Sequence, residues 1–156
     1  MKGENAHSIV LFDGVCNLCE TTVQWIIRND PSGHFLFASL QSTAAQALLR
    51  RLQYKDDPMS SVLVVIDGKV HRKSQAALQI CKRLEVAWPV LYYLFAWVPP
   101  RPADKIYDYV GARRYRWFGR KTECWIPAPE IAARFVDASP SSLVGPLGLE
   151  PRTKGL

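Results

Sequence analysis

The sequence predicts an α/β fold in which a mixed sheet is flanked by helices. Three observations lead to this prediction. Short apolar runs alternate with segments of helical periodicity over the first half of the chain. An Asp-Gly pair at residues 67–68 separates two strand-like segments, which is typical of a β-hairpin. Beyond residue 85 the strand-like runs stop, and apolar helical segments replace them.

The first three elements form a strand–helix–strand unit. Residues 8–12 (SIVLF) are a compact apolar run and predict a buried strand that ends at Asp13-Gly14. A helix is predicted over residues 16–29, because its apolar residues recur at helical spacing. After a turn, residues 34–40 (HFLFASL) predict a second strand.

A helix, a hairpin and another helix follow. Thr43 and Gln46 have the spacing of a capping box and predict a helix that reaches residue 52. Residues 62–66 and 69–72 predict two antiparallel strands. Ser74 is placed to cap the last helix, whose predicted inner face consists of Ala77, Leu78, Cys81 and Leu84.

The resulting order, β-α-β-α-β-β-α, is the thioredoxin-like order. The strand–helix–strand unit implies two parallel neighbours with a right-handed crossover, and the hairpin adds an antiparallel strand. We therefore predict a thioredoxin-like redox domain over residues 8–85.

Residues 86–137 are predicted to form a helical extension packed on that domain. Helices are expected over residues 90–98 and 102–117, and a short one over residues 130–136. The first of them lacks a strongly polar face, so we expect it to be buried. From residue 138 to 156 Pro, Gly and Ser dominate without periodicity, which predicts a disordered tail.

Composition narrows the class of protein. The 156 residues carry a formal net charge of +6, which allows acidic partners but does not require nucleic acid. The longest apolar run, residues 86–98, is shorter than the about 20 residues that span a bilayer. The polar N-terminus does not resemble a signal peptide, so a cytoplasmic location is expected. In that reducing compartment, four cysteines favour redox chemistry or metal binding over a disulfide scaffold.

Cys16 and Cys19 lie where the first strand gives way to the first helix. Residues three apart on a helix are neighbours, so the two sulfurs can form a bond. Cys16 is at the helix N-terminus, where unpaired N–H groups and the helix dipole stabilise a thiolate. Cys19 shares the apolar face and should be more buried. This difference predicts Cys16 as the nucleophile and Cys19 as the resolving thiol of thiol–disulfide exchange.

Asp13 has two interpretations. It is either a helix cap and turn former, or a proton acceptor that helps Cys19 to ionise. The cysteine pair also has an alternative interpretation, a non-catalytic binding module with structural or zinc-bound cysteines. Zinc needs two more ligands, and the other two cysteines and the histidines are scattered along the chain.

At these residues the sequence resembles the DCC-type thiol-disulfide oxidoreductases, also called DUF393. Asp13, Cys16 and Cys19 match the DxxCxxC pattern of that family. The resemblance extends to residues 73–78 (KSQAAL), 112–120 (ARRYRWFGR) and Cys124, and covers residues 9–135. It implies a thioredoxin-like fold and protein-disulfide reductase activity.

The sequence departs from thioredoxins before the strand that faces the cysteine pair. Thioredoxins have a cis-proline there, whereas this chain has Ser60. A cis bond without proline costs about 3 kcal/mol, so a trans bond is expected between Met59 and Ser60.

A basic and aromatic cluster lies at residues 113–121. We interpret it as a helix with a solvated basic face and aromatic residues towards the core, rather than as a nucleic-acid interface. An alternative is that one of its arginines supports the thiolate. Cys124, which follows, is either a third redox cysteine or a buried small hydrophobe, and Cys81 is expected in the core.

Together these features predict a protein-disulfide reductase with Cys16, Cys19 and Asp13 in its catalytic site. The predicted partner is a disulfide-containing protein or a low-molecular-weight thiol. No cofactor, bound metal, nucleic acid or transmembrane segment is predicted.

Overall fold

The computed structural model describes residues 7–85, 88–123 and 125–136. Its four strands are β1 (Ser8–Phe12), β2 (Phe35–Ser39), β3 (Leu63–Ile66) and β4 (Lys69–Arg72). Its α-helices are α1 (Asn17–Arg28), α2 (Thr43–Arg51), α3 (Lys73–Arg83), α4 (Trp88–Phe95) and α5 (Pro100–Phe118). Single turns of 3-10 helix occur at Pro58–Ser60 and Ala132–Arg134.

The four strands form one mixed sheet in the order β2-β1-β3-β4. β1 and β2 are parallel, with Ser8 opposite Phe35, as the strand–helix–strand unit requires. β3 runs antiparallel to both β1 and β4, and the hairpin turns at Asp67-Gly68. The predicted α/β, thioredoxin-like fold is confirmed.

Each face of the sheet has its own core, because successive side chains of a strand point to opposite faces. Val10 and Phe12 face a core that also contains Cys16, Cys19 and the buried faces of α1 and α3. Ile9 and Leu11 face the core beneath α2. The cysteine pair therefore belongs to the core between the sheet and α1.

The two predicted caps are wrong. Ser42, one residue before Thr43, caps α2, because its hydroxyl accepts the N–H of Ala45 at 3.1 Å. At the start of α3 the Ser74 hydroxyl instead donates to the Asp104 carboxylate of α5. An acceptor from another helix has replaced the local cap.

The inner face of α3 is shifted by one residue from its predicted position. Ala76, Ile80 and Leu84 are buried, whereas Ala77 is exposed and Cys81 is half-buried. The helix is rotated so that positions 77 and 81 turn away from the sheet, towards a cavity described below. Cys81 is therefore not a core residue.

The prediction that the helix around residues 90–98 is buried is also wrong. α4 contacts α3, and its Trp88 lies edge-on to Trp25 of α1 with ring centroids 4.5 Å apart. Its outer residues Tyr93 and Leu94 are nonetheless more than half exposed. No helix in the described residues has the length and apolar character needed to cross a membrane.

Three further predictions, for residues 130–136, for the Met59–Ser60 bond and for the tail, have different outcomes. In place of a helix over residues 130–136 there is one 3-10 turn, Ala132–Arg134. Every peptide bond for which the structure describes both residues is trans, including the one between Met59 and Ser60, as predicted. The predicted disordered tail lies outside the described residues.

Candidate active site

The cysteine pair lies at the junction of β1 and α1. Cys16 is the N-cap residue of α1, with extended backbone angles (φ −89°, ψ 118°). Its sulfur accepts the backbone N–H of Cys19 at 3.4 Å. The first turn of the helix thereby directs an unpaired donor at the Cys16 sulfur, which is the arrangement that stabilises a thiolate.

The environment separates the pKa values of the two thiols. The pKa of Cys16 is lowered to about 6, mainly by a hydrogen bond from the Cys19 thiol. The backbone N–H groups of Cys19 and Leu18 and the charge of Arg114 also lower it, and together these contacts outweigh burial, which would raise it. The same hydrogen bond, together with burial, raises the pKa of Cys19. At neutral pH the pair is therefore a Cys16 thiolate beside a Cys19 thiol.

Cys19 is buried, as expected, and so is Cys16: the two residues are 4% and 1% exposed. The backbone that follows α5 forms an isolated bridge with Cys16 through Arg120. Long-range packing, rather than position on the helix, determines the exposure of Cys16.

We call residues 119–123 and 125 the covering segment. Its N–H groups donate to the two carbonyl groups that precede Cys16: Lys121 N to Val15 O at 2.8 Å, and Trp125 N to Gly14 O at 2.9 Å. The Lys121 ammonium also forms an ion pair with Glu20 on α1. The segment is thus anchored by backbone and side-chain contacts over the nucleophile.

Asp13 is a fully enclosed carboxylate with four donors. One oxygen accepts the N–H of Val15 at 3.2 Å and the Gln41 amide at 2.7 Å. The other accepts the Arg114 guanidinium at 3.2 Å and the Tyr115 hydroxyl. Asp13 does not cap α1, since Cys16 holds that position. It does form the turn before the helix, as the first interpretation expected, because it accepts the N–H groups of Val15 and Cys16.

These contacts also set the proton affinity of Asp13. Burial alone would raise its pKa, but the hydrogen bonds from Tyr115, Gln41 and Val15 and the charge of Arg114 outweigh burial and lower it. A carboxylate with a lowered pKa is a weak base. The surroundings favour a positioning role for Asp13 over a role as proton acceptor.

Arg114 of α5 links Asp13 to the loop opposite the cysteines. Its side chain is 10% exposed, and its Nη2 atom also donates to the carbonyl of Met59 at 2.9 Å. Its charge contributes to the low pKa of Cys16. The alternative interpretation of the basic cluster, in which one arginine supports the thiolate, thus agrees with the position of Arg114.

The rest of the basic cluster differs from its prediction. Trp117 and Phe118 are 51% and 48% exposed, so the aromatic residues do not all point to the core. The Arg113 guanidinium lies over the Tyr109 ring, 3.8 Å from its centroid. Cys124 lies outside the described residues.

An apolar cavity of about 210 Å³ lies beside the cysteine pair. Residues of α1, α3 and α5 line it, and Cys19, Cys81 and Arg114 are among them. The sequence alone did not indicate this cavity, because its walls come from three helices far apart in the chain. Gln41 and Tyr115 were missed for the same reason.

The low pKa of Cys16 can be tested by the pH dependence of its alkylation. The rate of Cys16 alkylation by iodoacetamide should rise with pH around a midpoint of about 6, because only the thiolate reacts. The measurement is peptide mass spectrometry of reduced protein between about pH 4 and pH 9. Cys81 is an internal control, since burial raises the pKa of its thiol. A midpoint for Cys16 near that of a free thiol, about 8.5, contradicts the prediction.

Comparisons with known proteins agree with this site. Residues 10–120 match the family model of the DCC1-like thiol-disulfide oxidoreductases. The chain is 43% identical over 130 residues to YuxK of Bacillus subtilis (strain 168), a match that covers 83% of this chain and 94% of that protein. It is 36% identical over 121 residues to a chloroplastic DCC family protein of Arabidopsis thaliana, with 78% and 70% of the two chains covered. No solved structure matches the chain. The family match spans the cysteine pair and the arginine that supports it, and the chain belongs to the DCC1-like thiol-disulfide oxidoreductase family.

Proposed function

We propose that the protein is a cytoplasmic protein-disulfide reductase that acts through Cys16 and Cys19. The observation that carries the proposal is the position of Cys16 as the N-cap of α1, where its sulfur accepts the N–H of Cys19 at 3.4 Å. In this position the pKa of Cys16 is lowered to about 6, whereas the pKa of Cys19 is raised. Family membership supports thiol–disulfide chemistry in general. The direction of the reaction and the roles of the residues are our inference.

The reaction proceeds in two exchange steps. The Cys16 thiolate attacks one sulfur of a substrate disulfide, and the other substrate sulfur leaves as a thiolate. Cys19 then gives up its proton and attacks the Cys16 sulfur, which forms the Cys16–Cys19 disulfide and releases the second substrate thiolate. Two electrons pass from the dithiol to the substrate.

The pKa of Cys16 favours a reductase over an oxidase. Its value of about 6 is closer to that of thioredoxin, about 7, than to that of the strong oxidant DsbA, about 3.5. A less stabilised thiolate gives up its electrons more readily. The cytoplasm supplies the reducing conditions that such a protein needs.

Asp13 acts in this proposal by positioning Arg114 and Tyr115. It binds both side chains with one carboxylate oxygen. Arg114 in turn contributes to the low pKa of Cys16. The carboxylate thus supports the nucleophile through its neighbours.

The proposal is tested by trapping. Cys19→Ser should accumulate mixed disulfides between Cys16 and cellular proteins, because no neighbouring thiolate displaces the substrate. Cys16→Ser should trap none, since Cys19 is 4% exposed and its burial still raises the pKa of its thiol when the Cys16 thiolate is gone. The adducts are detected by non-reducing electrophoresis of cell extracts after rapid alkylation, and Cys81→Ser serves as the matched control.

Three results would count against the proposal. Equal trapping by both variants would mean that the cysteines are interchangeable. No adduct from Cys19→Ser, even when Cys124→Ser removes another possible resolving thiol, would exclude the exchange mechanism. Stoichiometric zinc that blocks alkylation of the purified protein would support the binding module instead, although no three His, Cys, Asp or Glu residues of the described ranges form a metal-binding group.

A further inference from the structure

Large apolar side chains are exposed on α4 and on the turn that follows it. They are those of Val90, Tyr93, Leu94, Phe95, Trp97 and Val98, and we call them the apolar surface. Trp97 is 89% exposed, and Val90, Tyr93 and Leu94 are each more than half exposed. A run of large apolar side chains in contact with water is typical of a binding surface.

Basic residues follow the apolar surface directly, on the outer face of α5. Arg101 is three residues beyond Val98, and three residues span at most about 11 Å. Four cations share this face, because their spacing matches the helical repeat: Arg101, Lys105, Arg113 and Arg116. None of the four forms an ion pair with another described residue. The outer face of α5 therefore carries positive charge that the protein leaves unpaired.

The two acidic residues of α5 are bound to α3 instead. Asp104 accepts the Ser74 hydroxyl, and Asp108 forms an ion pair with Lys73 at 2.8 Å. Three large apolar side chains lie among the cations, and each is more than half exposed: Ile106, Tyr109 and Trp117. α5 thus presents a mixed basic and apolar face to solvent.

An anionic lipid surface matches both parts of this region. Lys and Arg side chains are attracted to anionic headgroups, whereas Trp and Tyr favour the boundary between headgroups and acyl chains. Helices that rest on membranes combine basic residues with exposed aromatic and aliphatic residues. α4 contains no charged residue, and α5 supplies the cations that α4 lacks.

Two other occupants match these residues less well. A nucleic acid would pair with the cations and stack on the aromatic rings, but it would leave Val90, Leu94 and Val98 in water. A second copy in a two-fold interface would bring the same cations together, which is unfavourable. The cations and the aliphatic side chains together favour lipid.

We propose that the apolar surface and the outer face of α5 dock on the surface of an anionic phospholipid bilayer. The cations lie on one side of α5, and Arg114, which binds Asp13, projects from the other side. The docked protein therefore keeps the Asp13 side of α5 away from the lipid. This inference goes beyond the proposed function and does not rest on it.

The test measures binding of the full-length protein to two kinds of vesicle. One kind contains equal parts of phosphatidylcholine and phosphatidylglycerol, and the other contains phosphatidylcholine alone. The bound fraction is measured by sedimentation over a range of lipid concentrations. We expect the affinity for the anionic vesicles to be at least about tenfold higher. Added salt should weaken this binding, because it screens the attraction between the cations and the headgroups.

A pair of charge variants locates the binding surface. Arg101→Gln combined with Lys105→Gln should weaken binding to the anionic vesicles by about 30-fold, since each cation near the surface contributes about fivefold. Arg50→Gln combined with Arg51→Gln is the matched control. It removes the same charge from exposed positions of α2, which packs on the other face of the sheet. Its affinity should stay within about twofold of the wild type.

Trp97→Ala tests the apolar part of the surface. Loss of this side chain should weaken binding to the anionic vesicles by at least about tenfold, because it no longer leaves water on docking. Since Trp97 is 89% exposed, the free energy of unfolding should not change. Urea unfolding and the midpoint of Cys16 alkylation verify that each variant keeps the native fold.

The outcomes that overturn the docking surface differ from those that overturn the proposed function. Binding to neither kind of vesicle, or equal binding to both, excludes an anionic bilayer as the partner. Equal losses in the α5 and α2 charge variants, or undiminished binding of Trp97→Ala, exclude this surface. Without vesicle binding, a dimer that Trp97→Ala dissociates assigns the surface to a second copy, and binding of a single-stranded oligonucleotide assigns it to nucleic acid. The trapping result is independent of all these outcomes.

Discussion

Arg114→Met is expected to lower the free energy of unfolding by about 3–5 kcal/mol, since it leaves the buried Asp13 carboxylate without its counter-ion. The carboxylate is 1% exposed, so water does not replace the guanidinium. The variant also removes the donor to the Met59 carbonyl. Urea unfolding under reducing conditions measures the loss.

Two further variants test whether the loss of stability comes from the Asp13–Arg114 ion pair. Arg116→Met changes an exposed arginine of the same helix and should alter stability by less than about 0.5 kcal/mol. Asp13→Asn combined with Arg114→Met removes both charges and should be less destabilised than Arg114→Met alone. A loss below about 1 kcal/mol in Arg114→Met would mean that the pair behaves like an exposed salt bridge.

The destabilisation should depend on pH. In the wild type the pKa of Asp13 is lowered, so its stabilising contribution is present above the ordinary pKa of the carboxyl group and disappears only as the pH falls through the lowered value. In Arg114→Met one of the contacts that lower the pKa of Asp13 is lost, so this pKa should be higher than in the wild type. Asp13 of the variant then becomes protonated at a higher pH than in the wild type, so the difference in stability should narrow in acid.

Gly119→Ala is expected to release the covering segment and to accelerate alkylation of Cys16. Gly119 has φ 84° and ψ 166°, a backbone region that is essentially restricted to glycine. An added Cβ would also lie 3.0 Å from the Asn17 amide nitrogen on α1. The strain of about 1–3 kcal/mol corresponds to an about 5- to 150-fold larger open fraction, and Cys16 should react correspondingly faster.

Gly68→Ala is the matched control for this variant. Gly68 also has a positive φ, 73°, but it lies in the β3–β4 hairpin. Its substitution should lower stability without changing the alkylation rate of Cys16. Unchanged alkylation in Gly119→Ala, with stability reduced as in Gly68→Ala, would show that the covering segment does not control access to the nucleophile.

The sequence alone determined the four strands, the five α-helices and the position of the cysteine pair. β1 and β4 have the predicted bounds, β2 is one residue shorter than predicted at each end, and β3 begins one residue later than predicted. Such elements depend on short-range patterns of apolar residues and on turn residues such as Asp67-Gly68. The placement of Cys16 at the N-terminus of α1 followed from the same local reasoning.

Only the tertiary structure decided what surrounds the cysteines. Arg114 contacts Asp13 across 101 positions of sequence, and the covering segment reaches Cys16 only after α5 has packed against α1. Cys81 likewise lines a cavity whose walls come from α1, α3 and α5. Sequence patterns report which side chains are apolar or charged, but the free energy of a buried charge depends on which partner the fold brings to it. That is why the cysteine pair and an arginine near it could be suggested from the sequence, whereas the identity of that arginine and the burial of Cys16 could not.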